Sequence, residues 1–371
     1  MEEALLRQLE TPCIVIDEAK ALANLRAMQA VADGAGVALR PHIKTHKMCH
    51  FARLQVACGA KGITCAKVSE AEVMAAGGID DIFIAYPLVG ETRLRRAMAL
   101  AARCRRLILA VDSRETARLL SQAAVAAGRT VEVRLEVDTG ARRTGVPLDE
   151  AVELGKAVAA LPGLALTGIY TFKSLLYQGR PTQDRALAGR EEGALMAGAA
   201  TALREAGVPI RDISAGSTPT GDTVARTGLV TEIRPGTYIF NDHMLCCEGW
   251  ATPERIAAHL YATVVSTPRP EYAVIDGGTK TFPMDVPLDA PPYHYPGYAL
   301  VDGRPDLRLR RMNEEHGILE SASGATGLRV GQVLRLVPIH ICTAINQQNT
   351  VYLLRDGKLE KQAVDARGML V

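Results

Sequence analysis

The octapeptide Arg40-Pro41-His42-Ile43-Lys44-Thr45-His46-Lys47 follows the apolar run Val37-Ala38-Leu39 and sets an amine among histidines and cations. An amine becomes a nucleophile only when it gives up its proton, which desolvation and neighbouring positive charge both favour. Arg40 and Lys47 are the cations that the sequence offers, and Pro41 favours an extended approach. The stretch predicts a lysine for covalent chemistry at a strand end, against the plain alternative of a solvated surface lysine. His42 and His46 suit structural hydrogen bonding as well as catalysis.

Two glycine-bearing loops could hold an anion. Ser214-Ala215-Gly216-Ser217-Thr218-Pro219-Thr220-Gly221 offers small residues, which let backbone N–H groups approach a phosphate, and hydroxyl donors. Glu232-Ile233-Arg234-Pro235-Gly236-Thr237-Tyr238 adds a second glycine and a cation. Each could be an ordinary turn. A phosphate group and an imine-forming lysine together point to pyridoxal 5'-phosphate. His340-Ile341-Cys342 is read as extended, so that positions i and i+2 share a side and grip one ion; imidazole plus thiolate suits Zn²⁺. Glu314-Glu315-His316-Gly317 could bring His316 as an acid or base near that metal, or be a solvated turn. Lys280, in Asp276-Gly277-Gly278-Thr279-Lys280, could reach the site or be solvated.

These residues need a scaffold that gathers strand ends. Short apolar runs at 37–39, 62–65, 82–85, 107–111, 131–137, 164–170, 211–214 and 229–234 alternate with alanine-rich helical segments at 46–58, 68–76, 91–103, 114–127, 148–160 and 184–206. The alternation predicts an α/β protein with a parallel (β/α)8 TIM-type barrel over residues 11–250, with an open doubly wound sheet as the competing arrangement. No G-x-G-x-x-G follows the first strand, which speaks against a dinucleotide site. The active site of such a barrel lies at the C-terminal strand ends, which collects Lys44, Asp138 to Arg143, Tyr170 to Lys173, Gly216 to Thr220 and Arg234 to Tyr238. After residue 250 proline and tyrosine become frequent and helical spacing fades. Runs at 261–266, 271–275, 332–337 and 351–354 predict a C-terminal antiparallel β domain over 251–371, joined by residues 1–10.

Composition narrows the function classes. The net charge of +2 and the 4% aromatic content give no basic, aromatic-laced surface for nucleic acid. No apolar run is long enough to span a bilayer, and the acidic N-terminus lacks a signal-peptide profile, so a cytoplasmic protein is expected. The eight cysteines show no CxxC pair and are read mostly as small buried hydrophobes, with Cys342 set apart.

The chain resembles the fold-type III pyridoxal-phosphate enzymes, within them the D-threonine aldolase / D-serine dehydratase group. The stretches that carry the likeness are residues 40–47, Val137-Asp138-Thr139-Gly140 with Arg143-Thr144-Gly145, residues 233–238, Glu315-His316-Gly317 and His340-Ile341-Cys342. The resemblance implies an alanine-racemase-like barrel with Lys44 as Schiff-base lysine and Arg143 and Tyr170 beside the cofactor. It implies Gly216, Ser217, Thr218, Gly236 and Thr237 around the phosphate and Arg234 at the pyridine nitrogen. His340 and Cys342 would hold a divalent metal, Zn or Mn, His316 would take part in catalysis, and the enzyme would be a homodimer. The implied activity is lysis of a small β-hydroxy D-amino acid, by β-elimination or by retro-aldol cleavage. Cysteine at 342 looks more like the dehydratase branch, whereas Gly168-Ile169-Tyr170-Thr171-Phe172-Lys173 looks closer to the alanine racemases, with Phe-Lys in place of His-Phe; this segment is expected to face the substrate. The alternatives are an amino-acid racemase using a tyrosine among 293, 295 and 298 as second base, a non-catalytic pyridoxal-phosphate-binding protein, and metal-free sugar-phosphate chemistry on the same barrel.

Overall fold

A computed structural model describes residues 3–371, which divide into two compact units: residues 26–44, 48–236 and 369–371, and residues 3–25, 45–47 and 237–368. The first is the barrel. Its strands are β2 (Ala38–Leu39), β3 (Ile63–Cys65), β4 (Asp81–Pro87), β5 (Arg106–Val111), β6 (Val131–Asp138), β7 (Leu164–Tyr170), β8 (Asp212–Ala215) and β9 (Glu232–Ile233). They pair in parallel in that order, β9 returns to β2, and a bridge between His42 and Thr64 closes the ring onto β3. All eight runs expected from the sequence form these strands. Their apolar residues, such as Ile63, Ile82, Ile108, Val133, Ile169 and Ile213, are buried, as strands covered on both faces require.

The helices between them carry recognisable start signals. In the helix Arg114–Ala126, Ser113 accepts the Thr116 N–H in a capping box. In α7 (Arg185–Glu205; α1 to α6 are the helices Glu18–Gly34, Cys49–Ala57, Val68–Ala76, Glu91–Ala101, Arg114–Ala126 and Ala151–Ala159), Asp184 accepts the Leu187 N–H.

The second unit contains strand β1 (Cys13–Asp17), which pairs antiparallel with β10 (Ala258–Arg269). The sequence reading put residues 11–250 in the barrel; the boundary instead falls at 236/237, and β1 belongs to the other sheet. Its partners lie some 240 residues away, so no local pattern announces them. Strands β10, β11 (Tyr272–Ile275), β12 (Ala299–Val301), β13 (Arg304–Met312), β14 (Gly317–Ser321) and β15 (Val333–Pro338) form a closed ring in the order 10-11-14-13-12-15, back to β10. On the far side of β1 lie β16 (Thr350–Arg355) and β17 (Lys358–Ala363). The sequence reading missed β12, β13, β14 and β17. In β13 only Leu307 and Leu309 are buried while Arg304, Arg308, Arg310 and Arg311 surround them, so the alternation is masked by charge.

The barrel interior is partly ionic. Arg40 binds Asp81 (2.5 Å) and Glu232 (2.8 Å); Arg134 binds Glu232 (2.5 Å) and Asp212 (3.2 Å); Ser214 donates to Glu232 (2.6 Å). The Arg40 and Arg134 side chains are fully buried and Glu232 is 2% exposed. Burial alone would raise the Glu232 carboxyl, but Arg134 and Arg40 hold it well below the usual range. Removing this shared anion leaves two buried cations with one carboxylate each, Asp81 for Arg40 and Asp212 for Arg134. Glu232→Ala is therefore expected to destabilise the protein by about 3–5 kcal/mol, read as a lower urea midpoint; an unchanged midpoint would show the pairs to be dispensable.

Candidate active site

Lys44 lies on the one-turn 3-10 segment Ile43–Thr45 that follows β2, and its side chain is exposed within the barrel unit. Its Nζ stands 5.8 Å from the centroid of the Phe172 ring, and the Arg143 guanidinium lies 4.6 Å from the same centroid. The neighbours expected to depress its proton affinity are placed otherwise. Arg40 is neutralised in the barrel interior, and Lys47, buried at a left-handed φ of 53°, is held by its carbonyl to the Ala366 N–H. His42 accepts the Lys44 N–H at 3.3 Å and closes the barrel; His46 is buried edge-on to Phe240 at 6.5 Å.

Tyr170, at the end of β7, is fully buried. Its hydroxyl donates to Glu136 (2.8 Å) and its ring meets Phe83 edge-on at 4.9 Å. Thr144 donates to the other Glu136 oxygen at 2.9 Å. Burial raises the Glu136 carboxyl above its ordinary value, against the pull of these two hydroxyls and of Arg143. Arg234 lies 5.2 Å from the Tyr170 ring centroid and donates to Ser214 Oγ (2.8 Å) and the Thr171 carbonyl. Tyr170 thus supports Glu136 through its hydroxyl and Arg234 through its ring.

The two glycine loops are joined, since Gly236 N–H donates to Thr218 Oγ1 at 3.2 Å. Gly216 has φ +86°, and a Cβ there would come within 3.1 Å of the Gly221 backbone, so only glycine fits the turn. Its N–H, however, is given to Glu192 (2.8 Å), which also accepts from Thr220 Oγ1 (3.0 Å). Gly216 shapes the loop without presenting its amide to a ligand. Ser217 and Thr218 remain as buried hydroxyls at the end of β8. Thr237, next in sequence to Gly236, has its Oγ1 3.5 Å from Cys342 Sγ. Glu192 escaped the sequence reading, although a signal exists. Residues 188, 192, 196, 199 and 203 form one helical face of buried Ala, Met and Leu, and an acid on that face must have a partner.

In the second unit, His340 and Cys342 do meet, but not on a strand. β15 ends at Pro338, His340 caps the helix α9 (Ile341–Gln347; α8 is Gly221–Arg226), and Cys342 lies in its first turn. The two side chains hydrogen-bond each other. Cys342 Sγ also lies 3.1 Å from Thr45 Oγ1. Burial opposes ionisation of the thiol, yet His340 and the two threonine hydroxyls outweigh it and hold Cys342 below the ordinary thiol range. His340 is half-buried, which opposes its charge, but Cys342 and then Asp285, 2.6 Å from Nδ1, raise it well above an ordinary imidazole.

His316 is exposed at the turn between β13 and β14 and is not among the groups bonded to His340 or Cys342. Lys280 pairs with Glu314 (2.8 Å) and Glu315 (2.7 Å) at the surface. Lys173 does not face a substrate: it is fully buried and paired with Glu191 at 2.6 Å.

The donor set suits the two groups the sequence reading called for. An amine, two guanidiniums and buried hydroxyls at strand ends of one barrel match an aldehyde bearing a phosphate. A thiol primed to ionise beside an imidazole matches a borderline-soft divalent ion. Among the described residues no group of three or more His, Cys, Asp or Glu could hold a metal, so this pair would leave positions open. No helix among them is long and apolar enough to cross a membrane.

Residues 16–243 match the alanine racemase N-terminal domain and residues 257–354 the putative serine dehydratase domain. The chain is 36% identical to D-threonine aldolase of an Arthrobacter species, over 98% of this chain and 94% of that one. It is 35% identical to D-threo-3-hydroxyaspartate dehydratase of Delftia sp. (strain HT23), over 97% and 98%. A variant of that dehydratase has been solved in the metal-free form and superposes with a TM-score of 0.86, at 32% identity over 97% of this chain and 98% of that one. The crystal structure of D-threonine aldolase from Filomicrobium marinum superposes with a TM-score of 0.87 at 31% identity, covering 99% of this chain and 97% of that one.

Proposed function

The chain belongs to the family that joins an alanine racemase N-terminal domain to a putative serine dehydratase domain, and from that premise we propose that it eliminates the β-hydroxyl of a β-hydroxy D-amino acid. It is a pyridoxal-phosphate-dependent lyase, as its aldolase and dehydratase relatives are. The observation that carries elimination is the Cys342–His340 pair. A thiol whose ionisation is eased, set beside an imidazole, suits a Zn²⁺-like ion, and such an ion would polarise a hydroxyl into a leaving group.

When bound, the pyridoxal ring delocalises the negative charge left on the substrate's α-carbon. The residues of the chain do the rest. Lys44 Nζ, which would hold the cofactor, takes the α-proton once the substrate amine has displaced it. Arg143 and Arg234 would hold the polar edge of the ring, with Ser217, Thr218 and Gly236 around the phosphate. His340 and Cys342 would hold the metal.

Retro-aldol cleavage to glycine and an aldehyde is the second reading, supported by the 36% identity to an aldolase. Racemisation requires a tyrosine that gives up its proton. Burial pushes Tyr293 up to about 12, and burial with Glu248 pushes Tyr295 higher still, which disfavours these two of the three candidate tyrosines as the second base. Incubation with D-threonine, D-serine and D-3-hydroxyaspartate decides. A keto acid and ammonia are expected; glycine would replace elimination with aldol cleavage, and an L-isomer would reject both.

A further inference from the structure

We propose that the buried Lys173–Glu191 ion pair is a clamp that positions Phe172 and Arg143 against Lys44. The inference rests on the reading of Lys44 and Arg143 as cofactor-facing groups and adds a positioning residue to that site. Lys173 is fully buried, and its ammonium has three protons for three acceptors: Glu191 Oε2 at 2.6 Å, the Ala188 carbonyl at 3.3 Å and the Leu176 carbonyl. With all three donors used on protein acceptors, its work is mechanical.

The acceptors show what is being held. Ala188 and Glu191 lie on α7, and Leu176 opens the short hairpin whose strands are Leu176–Tyr177 and Arg180–Pro181. Glu191 also accepts the Gln178 N–H with both oxygens, at 3.1 Å each. One carboxylate therefore ties both the base and the turn of the hairpin to α7. Gly179, at the turn, comes so close to Gly140 that a Cβ on Gly140 would stand 3.4 Å from the Gly179 Cα. Gly140 belongs to the loop that carries Arg143, and that loop is itself tied by the Gly140 and Arg142 N–H groups to Asp138.

Phe172 is fixed from the other side. Its predecessor Thr171 meets Thr139 at 2.8 Å through the hydroxyls and accepts from Arg234 through its carbonyl. With Lys173 drawn toward α7, the Phe172 ring is left as a floor under both Arg143 and Lys44. The face of the aromatic ring attracts each cation and so draws both to one site.

The test uses full-length protein carrying Lys173→Met, with Glu191→Gln and Phe172→Leu as separate variants. Amide exchange over residues 174–182 is expected to rise at least about tenfold in the first two, with the unfolding midpoint of the remainder retained. Pyridoxal 5'-phosphate affinity, titrated by absorbance, is expected to fall about twofold to fivefold in Phe172→Leu, the worth of a cation–ring contact, and at least as far in Lys173→Met. Hairpin exchange and cofactor affinity that both stay at the wild-type level in Lys173→Met and Glu191→Gln would overturn the clamp. If Lys173→Met does not fold, Glu191→Gln carries the test, because its carboxylate is 19% exposed. Wild-type protein that takes up no pyridoxal phosphate would reject the functional reading, while hairpin exchange still judges the clamp.

Discussion

Lys44→Ala lowers turnover by about 10⁴-fold, the loss expected when both the covalent attachment and the proton-transfer group disappear. The size of the effect follows from the surroundings. Lys44 is the lysine whose amine shares the Phe172 ring with Arg143, while Lys173 is buried with all its protons engaged and Lys47 is buried after a left-handed turn. No second amine in that group can take over. The visible absorbance of the holoenzyme should vanish with the substitution. Borohydride reduction of the wild type should fix the cofactor on the peptide containing Lys44, and recovery of the label on any other lysine would sink the assignment.

Metal removal is expected to be nearly as damaging. Chelation should cut elimination by about 10³-fold, corresponding to several kcal/mol of charge stabilisation at the leaving oxygen. Cys342→Ala should match it and resist rescue by added Zn²⁺ or Mn²⁺, whereas the chelated wild type recovers. Cys342 is the sensitive point because the chain has already made it an anion-forming thiol: His340, Thr45 and Thr237 surround its sulfur and outweigh the cost of burial. Full activity in protein shown to be metal-free would refute the role of the pair.

Much of this protein was legible in one dimension. The eight barrel strands and six of the helices follow from runs and spacings that concern residues a few positions apart, and the Lys44 turn is placed by the strand before it. The identities of Lys44, Arg143, His340 and Cys342 likewise needed no structure to stand out. What failed were statements about where a side chain points and what neutralises it. Arg40 looked like a cation beside Lys44 and is instead bound to Asp81 and Glu232. Lys173 looked substrate-facing and is turned into α7. Gly216 looked like a phosphate donor, but its amide belongs to Glu192.

By itself, then, the sequence determined the order of the elements and the kinds of chemical group at their ends, because periodicity and turn residues act locally. The tertiary structure decided which of those groups are left to act. Partners such as Glu232 for Arg40, 192 positions away, or Tyr261 for Cys13 in β1 are brought close only by the closed fold. In that dry interior a charge or amide must take the nearest partner, and that pairing removes it from the chemistry.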